Sequence, residues 1–522
     1  MALFKRGRLV VVTLSILWAI VIVWEEYLQF AYDGGKCDWP DHKFRPRLEG
    51  DETRPQHVLI VADPQILDHR SYPGRGAFLT WLSRIIVDLN LRKNWWVATA
   101  KKPDAVVFLG DMMDGGRFDM SDEEYEKYYQ RFKSIFKLDA NVPQYYIPGN
   151  HDTGLGFSQT FSPYTHLRYT THFGPKNYVV QLANHTLTFI DAPGFVDEEY
   201  KRLGESKRYD NWKPLKDGTL EFMKKFKADR HTDPVILFTH VPLYRPDGRG
   251  CGPLRERGTI RPGVGNGYQN TLGKQSTQKL LELLEPSLVF SGDDHDYCEH
   301  IHRSSTTGSQ PGGGPRDVRE ITVKALSMAM GIRRPGFQLL SLAPLSLRIP
   351  TSESLASTVH SHADIPCLLP DQLRTYLSVY IPLGMFSLIA LAVSQFISLR
   401  PRTNLKHSVD LGRPEYDDGD DSTGGRGTFR LFPANRRPRR DGVDVEEGAP
   451  SPAVSISEKN GGATAGYYGG ASKYFQKFFA AGRPSSHRRM RPRRRMVGFL
   501  LDVRDVAVWP LGLFILITWW FS

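Results

Sequence analysis

The chain has 522 residues, with 68 Lys+Arg against 57 Asp+Glu and a formal net charge of +11. That length exceeds one typical domain and leaves room for a large core. The charge does not mark a nucleic-acid binder: residues 400–496 hold 20 Lys+Arg and 11 Asp+Glu, about +9 of the total, so the rest is near neutral.

The first eight residues include Lys5, Arg6 and Arg8 and lead into an apolar run over 9–24. A spanning helix needs ~20 apolar residues, so this run is short and borrows from its flanks. A cleaved signal peptide shares the charged start and short core. No convincing small-x-small cleavage site precedes Glu25, which favours an uncleaved signal anchor. Residues 25–55 read as a polar connector. From His57 a series of short apolar runs begins: His57–Val61, Ala105–Leu109, Gln144–Ile147, Thr186–Ile190, Val235–Phe238 and Leu288–Phe290. Runs rich in β-branched and aromatic residues, bounded by Gly, Pro, Asp or Asn, suit buried strands. Phe78–Ala100 and Asp122–Leu138 fall between the first three and have helical length and spacing. The alternation predicts a layered α/β domain within residues 25–372. Residues 304–315, rich in Ser, Thr and Gly, predict a surface loop. A second apolar run within 373–399 is long enough to span and is followed by Arg400 and Arg402. The stretch 400–496, rich in Arg, Gly, Pro and Ser, has no sustained apolar period and predicts a disordered basic linker. A third apolar run, 506–521, comes after Arg488, Arg489, Arg491 and Arg493–Arg495 and predicts a last membrane helix.

The basic flanks agree on one topology. The positive-inside rule puts residues 1–8 and the linker in the cytosol and residues 25–372 across the membrane, in a lumen. Cys37, Cys251, Cys298 and Cys367 all fall in that lumenal segment. Pairs Cys251–Cys298 and Cys37–Cys367 are one expectation, and four free buried thiols the other. Asn184-His185-Thr186 is an N-glycosylation sequon, usable only in the lumen.

The chemistry lies at the strand ends: Asp63-Pro64-Gln65, Gly110-Asp111-Met112-Met113-Asp114, Gly149-Asn150-His151-Asp152, His240 and Gly292-Asp293-Asp294-His295. Polar groups at strand C-terminal ends converge on one edge of an α/β sheet. Asp, Asn and His are the residue types that share two divalent cations. One Asp after a strand often caps the next helix. Five such endings in order point instead to a metal site.

This order of motifs resembles the calcineurin-like metallophosphoesterase superfamily over residues 57 to about 300. The resemblance implies a four-layered α/β/β/α sandwich with a dinuclear site. Asp63 and His295 would hold the first metal, Asn150 and His240 the second, and Asp111 would bridge them. His151 would be the outer-sphere acid, oriented by Asp114 or Asp152. The implied reaction is direct hydrolysis of a phosphoester, with no Ser or Cys nucleophile. Two positions depart from the family pattern. Gln65 stands where a His is usual, as a weak or indirect ligand, and Asp293 replaces a His near the second metal. Each change exchanges nitrogen for oxygen, which favours Mn²⁺ over Zn²⁺.

The same departures, with Ser291–Cys298 and Met328–Leu340, resemble a fungal branch of membrane enzymes that remodel glycosylphosphatidylinositol (GPI) anchors. These remove ethanolamine phosphate from a mannose in the endoplasmic reticulum. GPI-anchored proteins or the GPI glycan would then be the substrate, and the catalytic domain would be lumenal. Arg245 is read as a substrate contact or a surface residue, and His300 and His302 as cleft-lining or loop residues. Arg333 and Arg334 are read as headgroup contacts or a solvated turn, Met328 and Met330 as core packing. Two rivals remain: a lumenal phosphoesterase for another phosphodiester, and an inactive factor that binds GPI-anchored cargo.

Overall fold

Where the chain carries β-branched and aromatic runs it is extended. The computed structural model describes residues 2–44, 54–156, 158–304, 316–345, 361–397 and 492–521. The expected loop at 304–315 and the linker fall almost entirely outside the described residues. The chain divides into two units, Met1–Arg400 with Arg493–Ser522, and Pro401–Pro492. The second lies, apart from Pro492, outside the described residues.

In chain order the strands are β1 (Gln56–Val61), β2 (Ala105–Phe108), β3 (Gln144–Tyr146), β4 (Tyr178–Leu182), β5 (His185–Phe189), β6 (Val235–Phe238), β7 (Val264–Gly265), β8 (Tyr268–Gln269), β9 (Leu288–Ser291), β10 (Cys298–Ser304), β11 (Arg316–Thr322), β12 (Gly336–Leu342) and β13 (His362–Leu368). The six expected strands are β1, β2, β3, β5, β6 and β9. Two mixed sheets result, ordered β13-β12-β1-β2-β3 and β10-β11-β9-β6-β5-β4, with β7-β8 as a separate pair. The strands that sequence does not predict lie at or beside the sheet edges. β11 carries exposed and half-buried charged residues that break its apolar run, and β12, though buried throughout, is interrupted by Gln338 and Ser341. Pro366 in β13 costs little because that strand is an edge.

Successive residues of each strand point to opposite faces. Val58 and Ile60 therefore share a core with Val107, Ile236, Phe238 and Phe290, drawn from both sheets. Leu59, Val61 and Phe108 instead pack with Leu91, Trp95 and Phe132 of the helices Ala77–Thr99 and Asp122–Ile135. On the second sheet, Val235, Leu237 and Val289 pack with Phe195, Met223 and Leu280 of three further helices. Ser121 caps Asp122–Ile135, accepting from the Glu124 backbone N–H at 3.2 Å, and three acids fill that helix's first turn.

Two helices, Arg8–Lys43 and Gln372–Gln395, contain stretches long and apolar enough to cross a membrane. The connector expected from residue 25 is helical as far as Gly35, because Glu26, Phe30 and Gly34 are buried against the domain. The third apolar run forms part of the helix Pro492–Trp520. Leu14, Leu391 and Val506 pack together, one from each helix. Trp18 donates to Ser387 at 3.0 Å, and Gln395 to Asp502 at 2.5 Å. At the other end Tyr27 and Trp96 meet Phe521. Cys37 is bonded to Cys367, tying the exit of the first helix to the strand that leads into the second. Cys251 is bonded to Cys298, leaving no free cysteine.

Candidate metal centre

The site residues sit where chain direction changes abruptly after a strand. Asp63, Gln65, Asp111, Asp293 and His295 all adopt positive φ, between 35° and 69°. Left-handed backbone costs a non-glycine residue about 1–3 kcal/mol and collects at functional sites. Two glycines are required by close approach. A Cβ on Gly110 would stand 2.6 Å from His240 Nδ1, and one on Gly149 would collide with the Asp111 carboxylate.

Asp63, Asp111 and His240 are buried and present ligand atoms that all lie within 4.8 Å of one another. His240 Nδ1 lies 2.6 Å from the Leu109 carbonyl, to which it donates. That bond fixes the tautomer and leaves Nε2 as the ligand atom. Around Nε2 stand Asn150 Oδ1 at 3.1 Å, Asp111 Oδ1 at 3.4 Å and Asp293 Oδ1 at 3.5 Å. Asn150 is held by donating from Nδ2 to Gly267 at 2.8 Å. Asp63 Oδ1 accepts from the Asp293 backbone N–H at 3.1 Å. His295 adjoins this set without belonging to the mutual cluster. Burial lowers its imidazole to about 4, against the pull of Asp293 and Asp111, so the ring is neutral at physiological pH.

Gln65 donates from Nε2 to Asp111 Oδ2 at 2.9 Å. Its carbonyl Oε1 is buried without a partner, as is Asp63 Oδ2. Burial, reinforced by Asp111 and Asp293, pushes the Asp63 carboxyl well above its usual range despite the nearby His240. Two orphaned buried oxygens beside converging carboxylates are what a hard cation would satisfy, and the donor set of oxygens and imidazole fits a divalent ion.

His151 stands at the rim. Its backbone N–H donates to Asp111 Oδ1 at 2.9 Å, and its Nδ1 contacts Asp114 at the carbonyl, 2.6 Å, and the carboxylate, 3.3 Å. Of the two acids expected to orient this ring, Asp114 makes the contact, and it is itself held by Ser71. Asp152 turns inward, accepting from the backbone N–H groups of Asp111 at 2.7 Å, Gly149 at 2.9 Å and Met113 at 3.3 Å. Burial and then the charge of Asp111 push its carboxyl up to about 7.

Two supporting residues escape sequence reasoning. Ser71 carries no motif. Arg117 donates to Gly267 at 2.9 Å and to Asn150 at 3.3 Å, lying close enough to feel Asp111, Asp114 and Asp293. Its only sequence signal is its place six residues after Asp111. Arg245 is neither a surface residue nor a substrate contact: it is buried against Glu320 at 2.7 Å, which His302 also meets at 2.6 Å. The backbone N–H groups of Arg333 and Arg334 donate to Glu256 at 2.6 and 3.0 Å. The Met328 side chain packs on the core, as expected for that residue.

The two-sheet fold gathers acids, an Asn and imidazoles at strand ends, and residues 57–297 match the calcineurin-like phosphoesterase family. This part of the chain is a calcineurin-like metallophosphoesterase domain. The chain is 36% identical over 331 residues to Cell division control protein 1 of Saccharomyces cerevisiae, covering 63% of this chain and 62% of that protein. It is 25% identical over 322 residues to the Metallophosphoesterase 1 homolog of Drosophila melanogaster, covering 59% and 77%. With Metallophosphoesterase 1 of Mus musculus it shares 27% over 335 residues, covering 60% and 76%. The match thus spans less than two thirds of the yeast relative's length.

Proposed function

We propose that this chain is a membrane-anchored phosphodiester hydrolase that removes ethanolamine phosphate from a mannose of GPI anchors in the lumen of the endoplasmic reticulum. The observation that carries the chemistry is the buried cluster of Asp63, Asp111 and His240, with Asn150 and Asp293 against it and His151 at its edge. Two divalent ions fit this reading, Mn²⁺ favoured, because oxygen donors outnumber nitrogens. When bound, the ions supply charge stabilisation at the phosphoryl oxygens and activation of water. Asp63, Asp111, Asn150, His240, Asp293 and His295 would hold them, with Gln65 anchoring the Asp111 carboxylate. The contact of His151 Nδ1 with Asp114 leaves Nε2 to hand a proton to the leaving oxygen.

The substrate class draws support from the shared motifs at Asp63–Gln65, Ser291–Cys298 and Met328–Leu340. The anchoring geometry agrees with it: a GPI glycan projects from the leaflet to which both ends of the domain would be tied. Two disulfides and an exposed sequon Asn184 at the β4–β5 turn favour a lumenal domain.

The full chain, purified in detergent with Mn²⁺, is given a GPI glycan bearing side-branch ethanolamine phosphate, and release is followed by mass spectrometry. Release by the wild type and none by Asp111→Ala is the expected result. Cleavage of a generic phosphodiester with the glycan untouched would overturn the substrate assignment alone. Failure of both, with metal shown to be bound, would overturn the enzyme reading.

A further inference from the structure

The helix Ala77–Thr99 has two apolar faces. One packs on the domain through Thr80, Val87, Leu91, Trp95 and Ala98. On the other, Phe78, Leu79, Trp81 and Ile85 are 67%, 54%, 53% and 36% exposed. Their spacing, continued by Leu82 and Leu89, makes one outward stripe. A soluble domain rarely leaves so contiguous an apolar surface in water.

The stripe does not end at Leu89. Farther along it Lys93 donates to Glu26 at 2.5 Å, just past the first apolar run, and to Gln372 at 2.6 Å, at the start of the second candidate membrane helix. Trp96 packs on Tyr27 and Phe521, with ring centroids 5.5 and 5.3 Å away. Ile86 lines an apolar cavity of about 540 Å³ together with Trp18, Tyr380 and Pro510. One half of the stripe is thus covered by the ends of helices that reach into the bilayer. The other half is bare.

We propose that the bare half, Phe78 to Ile85, lies in the lumenal headgroup layer of that bilayer as an interfacial helix of the catalytic domain. The inference rests on the membrane anchoring proposed for this chain. The occupant is lipid because the exposed stripe is continuous with the surface that the membrane helices cover. Trp and Phe on one face of a helix suit that layer. The contact has a consequence for the site. Tyr72 and Ser71 lie in the loop that leads into this helix, and Ser71 bonds the Asp114 that holds His151. Docking the helix would therefore set the height of the site above the leaflet.

All four cysteines are paired, so one introduced cysteine in the full chain carries a nitroxide label selectively. Phe78→Cys, Trp81→Cys and Ile85→Cys are labelled one at a time in lipid nanodiscs, and collision with oxygen is compared with collision with a water-soluble nickel chelate. Leu167→Cys, on a surface far along the chain and 64% exposed, is the aqueous reference, and Ile389→Cys, 60% exposed on the second membrane helix, the lipid reference. The expected oxygen-to-nickel ratio at the three sites is several-fold above that of Leu167→Cys. Ratios equal to the aqueous reference, with Ile389→Cys reading lipid, overturn this inference and leave the membrane anchoring standing. Low collision with both reagents means that a second copy or another segment of the chain covers the stripe, and also overturns it. An aqueous reading at Ile389→Cys overturns both.

Discussion

Gln65 and Asp111 are joined through their side chains: Gln65 Nε2 donates to Asp111 Oδ2 at 2.9 Å, while Gln65 Oε1 is buried with no partner. A His at this position would offer a ring nitrogen to a metal. Gln instead steadies the carboxylate expected to bridge and adds a neutral oxygen nearby. Residues that orient metal ligands typically contribute 10–100-fold in affinity. Gln65→Ala is therefore expected to weaken Mn²⁺ binding by about that factor. Gln65→His is expected to shift preference towards Zn²⁺. Metal titration of the purified chain reads both, and equal Mn²⁺ affinity in all three proteins would remove Gln65 from the site.

His151 is held at the rim by Asp114 and by its own backbone bond to Asp111. If it serves as the acid, His151→Ala should lower kcat by roughly 10²–10⁴ on an alcohol leaving group. An aryl leaving group of low pKa, which needs no proton, should lose far less. A uniform loss across leaving groups, with metal content unchanged, would assign His151 to phosphate binding instead.

Glu320 is fully buried among Arg245, His302, Ser291 and the Leu243 backbone N–H. Burial alone would raise its carboxyl, but Arg245 and His302 outweigh it and hold it down at about 2. Its folded value thus lies below the ordinary ~4.3 of an unfolded chain. The stabilisation is present in full above that value and fades as pH falls towards 2. Glu320→Gln should cost about 3 kcal/mol near neutral pH and show a flatter loss of stability between pH 4.5 and 2. Chemical denaturation at a series of pH values measures both. Because Leu243 lies three residues past His240, metal affinity should fall in the same variant.

Lys93 and Glu26 form a buried ion pair 67 residues apart that joins the domain to its first helix. Removing one partner of such a pair strands the other charge, at a cost of about 3–5 kcal/mol. Glu26→Ala should destabilise by that order, and Glu26→Leu with Lys93→Met should recover most of it. Thermal unfolding in detergent tests this. Equal loss in the single and double variants would show that shape rather than charge pairing matters there.

Asn184 is exposed at the turn between β4 and β5, where its side chain accepts from the Leu345 backbone N–H at 3.4 Å. If the domain is lumenal, endoglycosidase should increase the mobility of the chain from cells. Asn184→Gln should already migrate at the faster position. Identical migration of treated, untreated and variant chains would count against the lumenal assignment.

Much of the fold's centre and most of the site were legible because they are written locally. β1, β2, β6 and β9 are buried along all or most of their length and so read as apolar runs, while β5 and the edge strand β3 are marked by β-branched and aromatic residues. The acids, Asn150 and the histidines come directly after those runs, so order along the chain already named them. The cysteines could be counted, but only the packing of β13 beside the first helix put Cys37 and Cys367 5.7 Å apart at Cα.

The six expected strands, the ligand types and the apolar runs are thus properties of the primary sequence, since each depends on neighbours a few residues away. Other features exist only in the folded chain. Packing made Arg245 a core residue, because its counter-charge Glu320 comes 75 positions later and the two neutralise each other out of water. It drew the first helix on to Gly35, because the domain supplies a surface for Phe30 and Lys93 supplies a partner for Glu26. It chose Asp114 over Asp152 as the partner of His151, because two backbone N–H groups of the turn after β2 and that of Gly149 after β3 commit the Asp152 carboxylate. Burial and charge compensation are properties of the assembled chain, and no local pattern of residues encodes them.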